Sequence, residues 1–239
     1  MRTKALLSVA AIAASAVTAM AQSNVYSLNI VGYATVNVPA GYSIMANPLS
    51  AGATNGANEI GLSLTGEIIL TWNTASSTFT YASYDPTLGI SPSNWYDANL
   101  NPSVAPSLPP GVGFFFFNPN STNTPITFVG TVVPNPSSTN ILTVAAGYSM
   151  IGSPLPAAVS DITAAPVSLP KPNGMIVLSW NNATSKYVYS SYDASLGISP
   201  SNWYDANLAG IPAPGYSIGE GFFFFNPNAT STAWAQSLP

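Results

Sequence analysis

Cysteine and histidine are both absent from the 239 residues, and lysine and arginine together number only four. Without cysteine there is no disulfide, so packing and backbone pairing must hold the fold. The usual zinc, copper and haem ligand sets lose their main members, and no cofactor or metal site is expected. Hydrolase arrangements that need an imidazole base are excluded, which leaves carboxylate chemistry, calcium or a Ser–Lys device. Nucleic acid is excluded as a partner, because tracking a phosphate backbone needs clustered Lys and Arg. Charged residues of either sign make up 5% of the chain. A cytoplasmic enzyme surface is normally rich in Lys and Glu, so this balance fits extracellular or surface-assembled β proteins better. Beyond the N-terminus no apolar run is long enough to span a bilayer, and no helical membrane anchor is expected.

The N-terminus has the order of a secretory signal. Arg2 and Lys4 form a basic start, an alanine-rich apolar stretch runs from Ala5 to about Val17, and Ala19-Met20-Ala21 supplies a small-x-small cleavage pattern. Residues 1–21 are therefore expected to be removed, with a mature start at Gln22 and export to the periplasm, cell surface or exterior. Removal would leave Lys171 and Lys186 as the only bases against eight acids, taking the net charge from −4 to −6.

Most of the rest is an internal repeat. AGYSIMANPLSAG at 40–52 returns as AGYSMIGSPLPAA at 146–158, and IILTWNTASSTFTYA at 68–82 returns as IVLSWNNATSKYVYS at 176–190. SYDPTLGISPSNWYDANL at 83–100 returns with two changes at 191–208, and GFFFFNPN at 113–120 returns unchanged at 221–228. The offset grows from 106 to 108 residues, which places a two-residue gain in the Gly/Pro-rich stretch 159–175. Short runs rich in Ile, Val, Thr, Tyr and Phe alternate with Pro, Gly and Asn clusters, the spacing of a sandwich or barrel. Twenty-two prolines leave little room for long helices. The expectation is an all-β chain of two tandem β-sandwich-like, or small barrel-like, modules at 22–133 and 134–239, joined near Pro134–Ser138. Gly32 should mark a bulge or bend in the first strand. The segment 126–133 echoes both 29–36 and, weakly, 232–238, which suggests a strand flanking each module, with 126–133 shared or lying between them.

The sequence GYS-(I/M)-x-x-x-PL, a Trp strand, a Tyr-Asp turn and G-x-GFFFF resembles secreted bacterial β modules with a GWNLIS-P opening and a PGxGYWV closing strand. With VYSLNIVGY at 25–33, the chain is similar to a family of small exported two-module bacterial proteins of unassigned function. Tyr42 and Tyr148 stand where that module often has Trp. The resemblance implies an all-β accessory module and transfers no catalytic residue.

Comparing the copies locates the candidate site. Positions 83–100 and 191–208 agree at 16 of 18, whereas 101–112 and 209–220 share only three residues. A turn-like segment held this constant either packs in the core or presents one surface twice. In the second case Tyr84, Asp85, Trp95, Tyr96 and Asp97 form one loop cluster and Tyr192, Asp193, Trp203, Tyr204 and Asp205 its equivalent, with flat rings and acceptors suited to a sugar. In the first, Trp95 and Trp203 plug the sandwich and the aspartates close turns. Asp85 and Asp97 also form a formal pair for glycoside hydrolysis, but no third polar group accompanies them and no enzyme activity is expected. In each Phe run alternate rings face opposite sides, so both faces need cover, by the module itself or by a partner. Glu220, placed where the first copy has Val112, reads as an exposed turn residue. The function expected is a non-catalytic exported structural or adhesive protein of the cell surface or matrix. The alternative is carbohydrate binding at two equivalent loop sites. Extracellular polysaccharide and self-assembly are the corresponding partners.

Overall fold

The computed structural model describes residues 31–133, 140–197 and 201–236. The expected signal peptide, the Gln22 start and the Pro134–Ser138 joint lie outside them. The chain is all-β, built as two sandwich-like modules.

Eight strands form the first module: β1 (Val31–Val38), β2 (Gly41–Ala46), β3 (Ile68–Asn73), β4 (Thr78–Tyr84), β5 (Trp95–Tyr96), β6 (Pro102–Ser103), β7 (Gly113–Asn118) and β8 (Thr124–Thr131). Six of them make an antiparallel sheet in the order β2-β7-β3-β4-β5-β6, while β1 and β8 pair separately as a ribbon. The ribbon's alternation explains its placement: Ala34 and Val38 on β1 and Ile126 and Phe128 on β8 are buried in one cluster with Ile69, Trp95, Phe114 and Phe116 of the sheet. The long connection between β2 and β3 adds Leu49, Ala57, Ile60 and Leu62 to the same cluster.

The second module repeats this path with β9 (Asn140–Val144), β10 (Gly147–Gly152), β11 (Met175–Asn181), β12 (Lys186–Tyr192), β13 (Trp203–Tyr204), β14 (Gly210–Ile211), β15 (Gly221–Asn226) and β16 (Thr232–Gln236). Its sheet order is β10-β15-β11-β12-β13-β14, with β9 and β16 as the ribbon. The end strands of each sheet do not pair with each other, so neither sheet closes into a barrel. The connection 153–174, which absorbs the two-residue gain, packs Ile162, Val167 and Leu169 into the core as well as crossing the surface.

Two expectations are corrected. The 126–133 segment is not shared between modules, because β8 pairs with β1 along its whole length. Gly32 makes no bulge: it faces Gly130 in an unbroken ladder. There a Cβ would press on Leu49 Cδ2 at 3.2 Å, so glycine lets the following connection cross closely.

The Phe runs show how the modules meet. Phe114 and Phe116 point into the first core, and Phe222 and Phe224 into the second. Phe115 and Phe223 point the other way and are buried against each other's modules with Ile44 and Met150, flanked by Leu70, Trp72, Leu178 and Trp180. The second layer that the alternating rings demand is therefore the other half of the same chain. Each buried ring contributes about 2 kcal/mol by removing apolar surface from water.

The contact is reciprocal, as a twofold axis would make it. Trp72 Nε1 donates to the Tyr148 carbonyl at 2.9 Å, and Trp180 Nε1 to the Tyr42 carbonyl at 2.7 Å. Ala46 N donates to Gly219 O at 2.9 Å, and Gly152 N to Gly111 O at 3.0 Å. These backbone bonds cover the outer edges of β2 and β10. At the far edges β6 and β14 are two residues long, and Pro102 and Pro212 sit in or beside them. Such short, proline-blunted edges are poor templates for strand addition.

Candidate functional site

The repeated Trp-Tyr-Asp segment is a packing element in both copies. Trp95 and Tyr96 are fully buried, and Trp203 and Tyr204 are 2% and 9% exposed. Trp95 Nε1 donates to Asn58 Oδ1 at 2.9 Å, Ser91 N donates to the Tyr96 hydroxyl at 3.2 Å, and Ser191 Oγ lies 3.1 Å from the Tyr204 hydroxyl. Tyr84 and Tyr192 are half-buried and tilt against Trp95 and Trp203 at centroid distances of 5.4 and 5.6 Å. Buried indoles cannot stack on a sugar, so the loop clusters lack the faces that a carbohydrate site there requires.

The aspartates lie at the surface and close turns. Asp85 Oδ1 accepts from Thr87 N and Oγ1 at 2.8 and 2.6 Å, and Asp193 Oδ1 does the same with Ser195. Asp97 accepts from Asn99 N, Asn101 N and Asn101 Nδ2, and Asp205 from Asn207 N and Ala209 N. At Asp85, Asp97 and Asp205 these donors favour the charged form. The Thr87 bonds hold Asp85 below the usual carboxylate range, and the Asn101 bonds do so for Asp97. Two carboxylates held ionised supply no protonated acid for glycosidic cleavage. Among the described residues no three His, Cys, Asp or Glu side chains converge as metal ligands.

The concave aromatic surface of the molecule lies elsewhere, at the rim of the module contact. Two pits sit in pseudo-twofold relation. The first, about 280 Å3, is lined by Trp72, Ser77, Phe79, Tyr148, Leu178, Tyr187 and Phe223. The second, about 260 Å3, is lined by Tyr42, Leu70, Phe115, Trp180 and Tyr187. Each draws residues from both modules and stands beside rings left substantially in solvent, Phe79 at 42% and Tyr187 at 44%. Edge-on contacts bind the set: Trp72 to Phe223 at 5.2 Å, Phe115 to Trp180 at 5.1 Å, and Tyr187 to Phe223 at 6.0 Å. Burial raises the Tyr42 and Tyr187 hydroxyls above the ordinary tyrosine value, so both remain donors at neutral pH.

These pits escape a reading by segments, because each is formed only when two distant hairpins meet. Their signal is the shared face: Trp72 and Phe79 are cross-strand partners, as are Trp180 and Tyr187. Rings so paired lie on the face of Phe115 and Phe223 rather than that of Phe114. Also unforeseen are two half-buried or buried acids. Glu67 is fully buried, with Oε2 accepting from Leu64 N at 2.7 Å and Oε1 without a partner among the described residues, and desolvation pushes its carboxyl up to about 7. Glu220, expected at an exposed turn, is half-buried at the module junction, and burial raises its carboxyl against the Ser217 donors.

No family profile matches the chain, and no curated protein or solved structure is significantly similar to it.

Proposed function

We propose that this is a non-catalytic exported protein with a structural or adhesive role at the cell surface or in the surrounding matrix, and that the paired aromatic pits are its contact surface. The observation that carries the reading is the exposure of Phe79, Tyr187, Tyr42 and Tyr148 around two almost wholly apolar hollows. Contiguous apolar surface rimmed by polar residues marks interaction sites on soluble proteins. Blunted outer edges argue for association through faces rather than by strand addition. No helix among the described residues is long and apolar enough to cross a membrane.

Carbohydrate binding is the second reading, moved from the loops to the pits. Tyrosines with an apolar ring and a donor hydroxyl suit a sugar's CH face and oxygens. A glycan array and sedimentation velocity, run on the wild type and on Phe79→Ser/Tyr187→Ser, separate the two. Concentration-dependent assembly that the double variant abolishes, without glycan binding, supports the structural role. Saturable glycan binding that the variant abolishes supports the second. Assembly or binding unchanged in the variant removes the pits from either.

A further inference from the structure

The pseudo-twofold relation fails beside Glu220. A space of about 180 Å3 lies at the module junction, bounded by Val36–Pro39, Ser43, Trp180, Asn182 and the Ser217–Gly221 turn. In the register of the repeat, positions 182, 217 and 220 correspond to Thr74, Pro109 and Val112 of the first copy. The cavity thus mixes polar and apolar lining, with a hydroxyl where the first copy has a proline and a carboxylate where it has an aliphatic side chain.

The turn itself does not demand that carboxylate. Val112 N donates to Pro109 O at 3.1 Å, just as Glu220 N donates to Ser217 O at 3.1 Å. Among the described residues the Glu220 carboxylate takes its donors from Ser217 alone, with Ser217 N at 2.8 Å from Oε2. Among the described residues no Lys or Arg lines the cavity, so the Glu220 carboxylate meets no opposite charge there. Asn182 is already engaged, donating to Tyr42 O and Ser43 Oγ at 2.6 Å each, and the Trp180 Nε1 is spent on Tyr42 O. Both residues are therefore held as fixed walls. What these walls do not supply is a cation to face the carboxylate.

We propose that this cavity binds a small organic ammonium ion, with its N–H donors on the Glu220 carboxylate and its alkyl part against Trp180 and Ile44. A charge-assisted bond to a half-buried carboxylate is about twice as strong as a neutral one, and an indole within about 6 Å attracts a cation through its ring quadrupole. The volume is that of about six waters at ~30 Å3 each, which limits the ligand to a few heavy atoms. Because the site exists once, one ion binds per chain despite the duplicated fold.

Trp72 is the internal control for Trp180, since it occupies the related place beside Thr74 and Val112. Titration of the purified protein with n-butylammonium, followed by the indole N–H signals in a 1H–15N spectrum, should move Trp180 saturably and leave Trp72 still. n-Butanol, the neutral analogue, should produce no saturable shift. Glu220→Val installs the residue the first module carries, and Glu220→Gln keeps the shape without the charge; each should weaken binding at least tenfold. No saturable shift, equal movement of both indoles, equal binding of butanol, or binding retained in both variants would each overturn the proposal.

Discussion

The two copies agree at 16 of 18 positions over 83–100 and 191–208, yet share three of twelve over the next stretch, 101–112 and 209–220. Loops normally drift faster than strands, so the first figure needs a physical cause. Each conserved stretch buries a Trp and a Tyr and holds left-handed residues in place: Asn94 and Asn202 at φ 60° and 61°, Leu100 and Leu208 at 61° and 62°. A leucine in that region is strained by about 1–2 kcal/mol, and asparagine tolerates it best among residues with a Cβ. The path therefore accepts few substitutions. The next stretch contributes only the two-residue β6 or β14 and one buried core side chain, Leu108 or Tyr216, before it reaches β7 or β15, and its last residues form the wall between modules, where the halves are unequal. Sequence identity here follows packing and backbone constraint in both directions.

The strongest way to break this comparison is to remove the plugs. Trp95→Ala and Trp203→Ala should each cost about 3–5 kcal/mol, the range for deleting a buried large aromatic. Equal losses, read by denaturant titration, would confirm equivalent roles. A change under about 0.5 kcal/mol, the scale of ordinary surface substitutions, would show that the segment is conserved for another reason.

Glu67 against Met175 is the next largest contrast. Both are fully buried at the same place in the repeat, and the same turn precedes them: Gly66 N reaches Tyr84 O and Gly174 N reaches Tyr192 O, each at 2.8 Å. One module thus buries an acid where the other buries a thioether. The Glu67 carboxyl rises from 4.5 to about 7, so the folded state prefers the neutral form. Folded protein then binds more protons than unfolded, and stability falls as pH rises. The contribution is fully present below 4.5 and is lost as the pH rises through about 7. At 1.36 kcal/mol per unit this amounts to about 3 kcal/mol. Glu67→Met should remove that slope and stabilise the protein at pH 8 with little gain at pH 4. A melting-temperature series in which the variant keeps the wild-type slope between those limits would contradict the assignment.

Gly113 and Gly221 sharpen the comparison at the interface. A Cβ on Gly113 would stand 2.8 Å from Ile151 N and Met150 Cγ, and one on Gly221 2.5 Å from Met45 O and 2.8 Å from Ile44 Cγ2. Both bar the way to the opposite module. Gly113→Ala and Gly221→Ala should each cost about 1–3 kcal/mol, as overpacking does, and the Trp72 and Trp180 fluorescence should change with them. A loss in one variant only would mean that the backbone contact is not reciprocal.

Much of this architecture is legible in the sequence because it is local or repeated. Alternation at Ala34-Val36-Val38 sets the buried face of β1, the duplicated blocks set two equal modules, and adjacent phenylalanines require cover on both sides. The candidate site is not legible in the same way. Trp72 and Tyr148 are 76 residues apart and Trp180 and Tyr42 are 138 apart, and they meet only because the modules pack face to face. The Trp-Tyr-Asp segment attracted a binding reading because aromatic rings beside aspartates look alike in a core plug and in a sugar site. Burial separates the two, and a two-residue strand such as β5 or β13 is too short for its alternation to reveal which face is buried.

The smallest expected effect concerns the surface aspartates, where the modules should behave alike. Asp97 is held below the ordinary 3.8 chiefly by Asn101, through its side chain and then its backbone N–H, and Asp205 chiefly by the Ala209 N–H. Here the folded pKa is depressed, so unfolded protein binds more protons and the contribution has the opposite sign to that of Glu67. It is present above 3.8 and is lost as the pH falls below that value. Asp97→Ala and Asp205→Ala should each lower the thermal midpoint slightly at pH 7, and the differences from wild type should shrink towards pH 2. Asp97 accepts three bonds and Asp205 two, so the loss at Asp97 should be the greater. Because both groups are exposed to solvent, added salt should reduce the coulombic share of the effect but not the backbone bonds. Two variants with midpoints identical to wild type at pH 7 would show that these turns hold without their acceptors, leaving the buried rings and left-handed residues as the sole reason the segment is repeated.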